Sequence, residues 1–116
     1  MSKRRRSKRV RARVRILVRI QARNKETVCE ETDSLIVNAH GALILLATPV
    51  GRDQFVTVVN TKTNQELLAR VTAVGTRFMG KAQVGIEFIR PAAEFWGVSP
   101  IPADWTSSRA LATNHS

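Results

Sequence analysis

The 116-residue chain has one cysteine, no tyrosine, two tryptophans, four phenylalanines and four prolines. A single cysteine, Cys29, excludes an internal disulfide and any zinc site built from several cysteines. Nothing in such a chain calls for an oxidising compartment. With aromatics at 5%, the core has to be built mainly from aliphatic side chains. No run approaches the ~18 apolar residues of a membrane-crossing helix. The charged start is not followed by the apolar stretch of a secretion signal. The expectation is a soluble, cytoplasmic protein without a membrane span. Acidic residues are also missing from one whole region. Residues 1–25 hold twelve of the nineteen Lys and Arg and no Asp or Glu, whereas residues 26–116 hold seven bases against nine acids. The net charge of +10 is therefore a property of one end.

Catalytic groups are scarce as well. The two histidines are His40, beside Gly41 in a turn sequence, and His115, near the C-terminus. Cys29 has no histidine near it in sequence and reads as a buried or half-buried structural thiol. The nine carboxylates lack the spacing of a metal loop, and the glycines form no phosphate-cradling motif ahead of a helix. The sequence thus predicts no catalytic residue, no metal site and no cofactor; the chain does not read as an enzyme.

What is present is a period. Val10, Ala12, Val14, Ile16, Val18, Ile20 and Ala22 alternate with Arg11, Arg13, Arg15, Leu17, Arg19, Gln21 and Arg23. A strand sends alternate residues to opposite faces, so this stretch predicts one long strand, apolar inward and cationic outward. Further strands are expected over Thr27–Val37, Ala42–Ala47, Phe55–Asn60, Glu66–Val74 and Ala82–Ile89. Connections are expected at Asn38–Gly41, Thr48–Gly51, Thr61–Asn64 and Gly75–Gly80. Six short strands without a long helical pattern predict an all-β fold, a small six-stranded antiparallel barrel that hides its own edges. Ala92–Val98 is expected to form a short C-terminal helical turn, with Phe95 and Trp96 plugging a barrel end. Three regions follow: a flexible basic arm over 1–9, a barrel over 10–98, and a partly disordered extension over 99–116.

Arginines are the positive functional signal. A guanidinium binds a phosphate through two parallel hydrogen bonds and also stacks on flat rings. Arg5-Arg6-Ser7-Lys8-Arg9 precedes the first strand, Asn38-Ala39-His40-Gly41 separates the second from the third, and Val84-Gly85-Ile86-Glu87-Phe88 forms the sixth. In this order, over roughly residues 4–98, the chain resembles the PilZ domain family of bacterial cyclic di-GMP receptors. The resemblance implies a PilZ-like barrel and a regulatory signalling role. It also implies cyclic di-GMP as ligand, held by an RxxxR arm through Arg5 and Arg9 with Arg6 alongside. The family's second motif, (D/N)x(S/A)xxG, is half kept. Gly41 is in place, Asn38 stands at the Ser/Ala position, and Ile36 stands where an Asp or Asn is expected. Asn38 still offers an amide to a base edge. Ile36 offers no hydrogen bond, which costs about 1–3 kcal/mol, or about ten- to a hundredfold in affinity.

Two other readings stand beside a weakened nucleotide receptor. One is a PilZ-like barrel that has lost the nucleotide and acts through a protein effector partner, motivated by Ile36 and Asn38. The other is a small nucleic-acid binder using the outward arginines. Those stand ~6.6 Å apart along a strand, near the spacing of phosphates, but lack the interleaved aromatics that stack bases. For that row, a solvated outer barrel face is the preferred reading.

Overall fold

Residues 7–22 and 24–105 are described by the structure, a computed structural model. Seven strands run in chain order: β1 (Val10–Arg11), β2 (Arg15–Gln21), β3 (Thr27–Asn38), β4 (Gly41–Leu46), β5 (Phe55–Asn60), β6 (Glu66–Phe78) and β7 (Lys81–Phe88). Six of them form the antiparallel circuit β3-β2-β5-β6-β7-β4, and pairing between β3 and β4 closes it into a barrel. The extra strand, β1, lies along β3 on the side also taken by β2. Among the described residues no helix is long and apolar enough to cross a membrane.

The alternation seen in the sequence builds the interior. Ile16, Val18 and Ile20 of β2 are fully buried, as are Val37 of β3, Ile44 and Leu46 of β4, Val58 of β5 and Val71 of β6. Val10, Ala12 and Val14 pack partly buried against the same core, so the inward parity holds from 10 to 20. Each fully buried aliphatic side chain contributes about 1.5–3 kcal/mol.

The first strand is not continuous. Arg11 faces Ile36 and Arg15 faces Asp33, so three residues (12–14) oppose two (34 and 35). This is a β-bulge, and a buried hydroxyl stabilises it. Ser34 Oγ donates to Ala12 O at 2.6 Å and accepts from Val14 N at 2.9 Å. The long strand expected over Val10–Ala22 is thereby split into β1 and β2.

The connection expected at Gly75–Gly80 is shorter. β6 continues to Phe78, and the chain turns at Met79 and Gly80, which take φ of 55° and 84°. Positive φ at two successive residues matches the right-handed twist of a hairpin, the usual reason for a two-residue turn. Residues 73–81 of this hairpin are exposed.

After β7 the chain makes the expected helical turn, with Phe95 N–H donating to Ala92 O at 3.2 Å and Gly97 N–H to Glu94 O at 3.3 Å. Its aromatics form a plug. The Phe88 and Phe95 rings meet edge-on at 5.2 Å, Phe88 and Trp96 stack at 5.6 Å, and Phe95 and Trp96 meet edge-on at 4.9 Å. Asn60 Nδ2 holds the plug by donating to Phe95 O at 2.7 Å.

Two predictions follow from this packing. Phe95 is 1% exposed, and Phe95→Ala should lower the unfolding free energy by about 3–5 kcal/mol in urea titration. A loss below about 1 kcal/mol would show that the plug lies outside the cooperative core. Glu30 ties β3 to the chain after β4, accepting from Ala47 N at 2.7 Å and Thr48 N at 2.9 Å. Burial pushes its carboxyl up, but those bonds and nearby Lys81 outweigh burial and hold it below the ordinary glutamate value. The stabilisation is present above the unfolded value of about 4.3 and is lost as pH falls through the lower folded value. The stability difference between wild type and Glu30→Gln should therefore shrink on acidification. A difference that stays constant between about pH 6 and about pH 3 would refute the assignment.

Candidate functional site

The turn between β3 and β4 is held on every side. Asn38 Oδ1 accepts from His40 N at 2.8 Å and from Gly41 N at 2.9 Å, an Asx turn that bends the chain. Three consecutive carbonyls are then taken by later residues. Asn38 O accepts from Trp96 Nε1 at 3.0 Å, Ala39 O from Ala92 N at 2.7 Å, and His40 O from Phe88 N at 2.6 Å. Gly41 lies against β7: a Cβ there would stand 2.0 Å from the Ile86 carbonyl oxygen. No side chain fits that gap, so this glycine is explained by packing before any ligand is considered.

Two residues expected in the free arm are anchored to the same structure. Ser7 is 1% exposed. Its Oγ accepts from Ala39 N at 3.2 Å and lies 3.2 Å from His40 Nδ1. Trp105 Nε1 donates to Lys8 O at 2.7 Å. A buried hydroxyl and a buried indole N–H each need a partner, and each finds it across the arm. Arg9, next in the chain, is exposed and makes no ion pair among the described residues.

Beside the turn the outer barrel surface forms a groove of about 450 Å³. Arg9 lines it together with Ile36, Asn38, His40 and Gly41. Leu43 of β4, Thr72 and Ala73 of β6, and Gly85 and Glu87 of β7 also line it. The volume lies within the range of small-molecule sites, and an apolar surface with few polar groups is their usual composition. Four of the sequence-predicted positions, Arg9, Ile36, Asn38 and Gly41, thus meet at one place. Arg5 and Arg6 lie outside the described residues.

The amide of Asn38 is only partly available, since its oxygen already accepts two bonds within the turn and only its NH2 remains to meet a ligand. Asp33, the acid nearest in sequence to the second motif, belongs elsewhere. It accepts from Arg15 Nη1 at 3.2 Å and does not line the groove. Sequence reasoning missed Glu87, Thr72 and Gly85. Alternation along Val84–Phe88 already places Glu87 outward; what was missing was the neighbour across the sheet.

Two arginines of the outward row are matched by acids. Arg15 pairs with Asp33 and Glu31, and Arg19 with Glu66 at 2.7 Å. The hydrogen bond that Arg15 donates to Asp33, with the charges of Asp33 and Glu31, raises the Arg15 pKa further above its already high value. Among the described residues Arg11 and Arg13 make no ion pair, and Arg23 lies outside them. Cys29 corrects an expectation: it is exposed, because its β3 position faces outward opposite Arg19. His40 sits in the turn, as expected.

No family model matches the chain, and no curated protein matches it.

The two groove glycines should respond differently to a methyl group. Gly41→Ala forces a backbone shift between β4 and β7 and should cost about 1–3 kcal/mol or more. At Gly85 the added Cβ would meet Thr72 Oγ1 at 3.2 Å, a side-chain contact that can adjust. Thermal unfolding should therefore show a clearly larger drop for Gly41→Ala, at about 4–8 °C per kcal/mol. Equal drops would contradict the close approach.

Proposed function

We propose that the chain is a PilZ-like regulatory module of bacterial, cytoplasmic signalling. It binds cyclic di-GMP in the groove beside the β3–β4 turn. The observation that carries this reading is the meeting of Arg9 with Ile36, Asn38 and Gly41 on one groove, since the resemblance joined those positions before any geometry was known. Arg9 supplies a guanidinium to a phosphate, and Arg5 and Arg6 bring the same chemistry from the arm. Asn38 offers its NH2, and Ile36 offers apolar contact to a flat base in place of a hydrogen bond. Binding is weakened accordingly.

The signal in this reading is a change in the arm. Ser7 and Lys8 are tied to the turn and to Trp105, so a ligand drawn in by Arg5 and Arg9 competes with those ties. Any rearrangement of the arm is felt at the C-terminal segment through the indole bond.

A second reading, a PilZ-like barrel that recognises a protein partner and no nucleotide, is favoured by one observation. The Asn38 oxygen serves the turn and the Ile36 side chain has no polar atom, so the second motif keeps only the Asn38 NH2 for a base edge. The nucleic-acid reading is weaker, because the acids paired with Arg15 and Arg19 would also face a polyanion.

Calorimetric titration with cyclic di-GMP separates these. The expected result is saturable heat, with Arg9→Ala and Arg5→Ala each weakening binding about ten- to a hundredfold. No heat at high micromolar ligand rejects the nucleotide reading in favour of the protein-partner one. Binding untouched by either substitution rejects the assigned site.

A further inference from the structure

We propose that the tip of the β6–β7 hairpin docks on an anionic lipid bilayer, with Phe78 and Met79 entering the interface and Arg77 and Lys81 meeting the headgroups. The inference is independent of the nucleotide reading above.

Phe78 and Met79 are 77% and 86% exposed, the two most exposed large apolar side chains among the described residues. Neither packs against the core. Single apolar residues on a surface are ordinary, but here two adjacent ones occupy the apex of one turn. The hairpin carries them outward. β5 pairs with β6 only as far as Arg70, and β4 pairs with β7 only as far as Ala82. Beyond Val71, β6 pairs with β7 alone among the described residues. At its end Phe78 faces Lys81 across the two-residue turn.

The charge around the apex has one sign. From Leu67 to Ile86 the chain holds Arg70, Arg77 and Lys81 and no Asp or Glu. Arg70 is engaged by Asp53 and Glu87. Arg77 and Lys81 are exposed and make no ion pair among the described residues. Glu30 feels the charge of Lys81, but its carboxylate oxygens accept from Ala47 N and Thr48 N. Lys and Arg lay their apolar stems along a hydrophobic surface and keep their charged heads in water. Cations beside an apolar apex therefore match the boundary where acyl chains meet phosphates.

An apolar layer also requires that backbone polar groups be satisfied within the protein. Arg77 does this at the apex: its Nη2 donates to Gly80 O at 3.0 Å and also to Ala47 O. The second bond braces the tip against the chain that follows β4. The apex is thus shaped before it meets a surface, which lowers the ordering cost of docking. A fluid bilayer closes around a convex tip without a matching pocket. A standard protein interface buries about 800 Å² per partner, more than a two-residue apex presents.

The test uses the full chain with vesicles of phosphatidylcholine alone, or with about one-third phosphatidylglycerol. The basic residues 1–25 also attract anionic vesicles, so cosedimentation is joined to a local readout. A polarity-sensitive fluorophore is attached through Met79→Cys in a Cys29→Ser background, or through Lys62→Cys beyond the other end of β6. On anionic vesicles the emission should shift to the blue at position 79 and stay unchanged at position 62. Phe78→Ser combined with Met79→Ser changes only exposed side chains and should weaken partition at least about tenfold. Lys81→Gln should weaken it about fivefold on anionic vesicles and leave neutral ones unaffected. No shift at position 79, or a serine pair that cosediments like wild type, overturns the proposal and leaves any vesicle binding to the basic residues of the N-terminal region. Equal partition onto neutral and anionic vesicles overturns the role of the cations. A lipid-free dimer in analytical ultracentrifugation that the serine pair abolishes overturns the proposal in favour of a second copy of the chain.

Discussion

β4 and β7 approach so closely at Gly41 that a methyl group there would lie 2.0 Å from the Ile86 carbonyl oxygen. The contact falls where the β3–β4 turn, the end of β7 and the C-terminal segment all meet. Because β3–β4 pairing closes the barrel, the geometry of this turn is also the geometry of closure. The turn's successive carbonyls accept from Trp96, Ala92 and Phe88, so the plug cannot pack without the turn in this shape. Buried polar groups need partners, and here one loop supplies them for Phe88, Ala92 and Trp96, a single stretch far from it in sequence. The groove inherits this rigidity, since its lining residues Asn38, His40 and Gly41 belong to the same loop. A site built on a constrained turn loses less entropy on binding than one built on a loose loop.

The concentration of positive charge at one end divides into two parts with different physical roles. On β2, Arg15 pairs with Asp33 and Glu31 of the adjacent β3, and Arg19 reaches across β5 to Glu66 of β6, so these two arginines belong to a cross-strand electrostatic seam. Exposed pairs of this kind add little stability each, but they cancel the field that would draw a polyanion along the strand. Arg9 lies beyond the bulge, where no acid pairs with it among the described residues, and it points its charge at a groove. The bulge matters to this division, because it resets the register between β1 and β2 and lets the chain leave the barrel toward the turn.

Much of the barrel was legible as alternation. β5 falls on the residues expected for it, Phe55–Asn60, and β2 keeps its inward parity throughout. The departures come from interactions that no local window contains. The break at 12–14 depends on Ser34, twenty residues away from Val14. Gly75 looked like a turn glycine, yet the turn lies at Met79-Gly80, where a methionine takes a φ that propensity assigns to asparagine or glycine. Residue type alone reads Cys29 as a buried or half-buried thiol, while its register opposite Arg19 puts it outside. At the site, Arg9 was legible from charge and Asn38 from a motif. The double use of the Asn38 oxygen was not, because it requires the backbone of His40 and Gly41 to curl back. Glu87 was readable only as an outward residue until the strand order set it across from Gly41.

The same order shows why the arm and the C-terminus belong to one device. Ser7 reaches the turn, Lys8 reaches Trp105, and the turn reaches Trp96, so each tryptophan ties the C-terminal segment to a different part of this structure. An indole N–H left without an acceptor in a buried site costs roughly 1–3 kcal/mol. Trp105 is 3% exposed, so displacing Lys8 from it carries a cost of that order unless Trp105 moves as well. That cost sets a threshold: a contact made by Arg9 alone, next to Lys8, leaves the indole bond intact. A ligand that pulls the arm inward must gain more than the bond is worth.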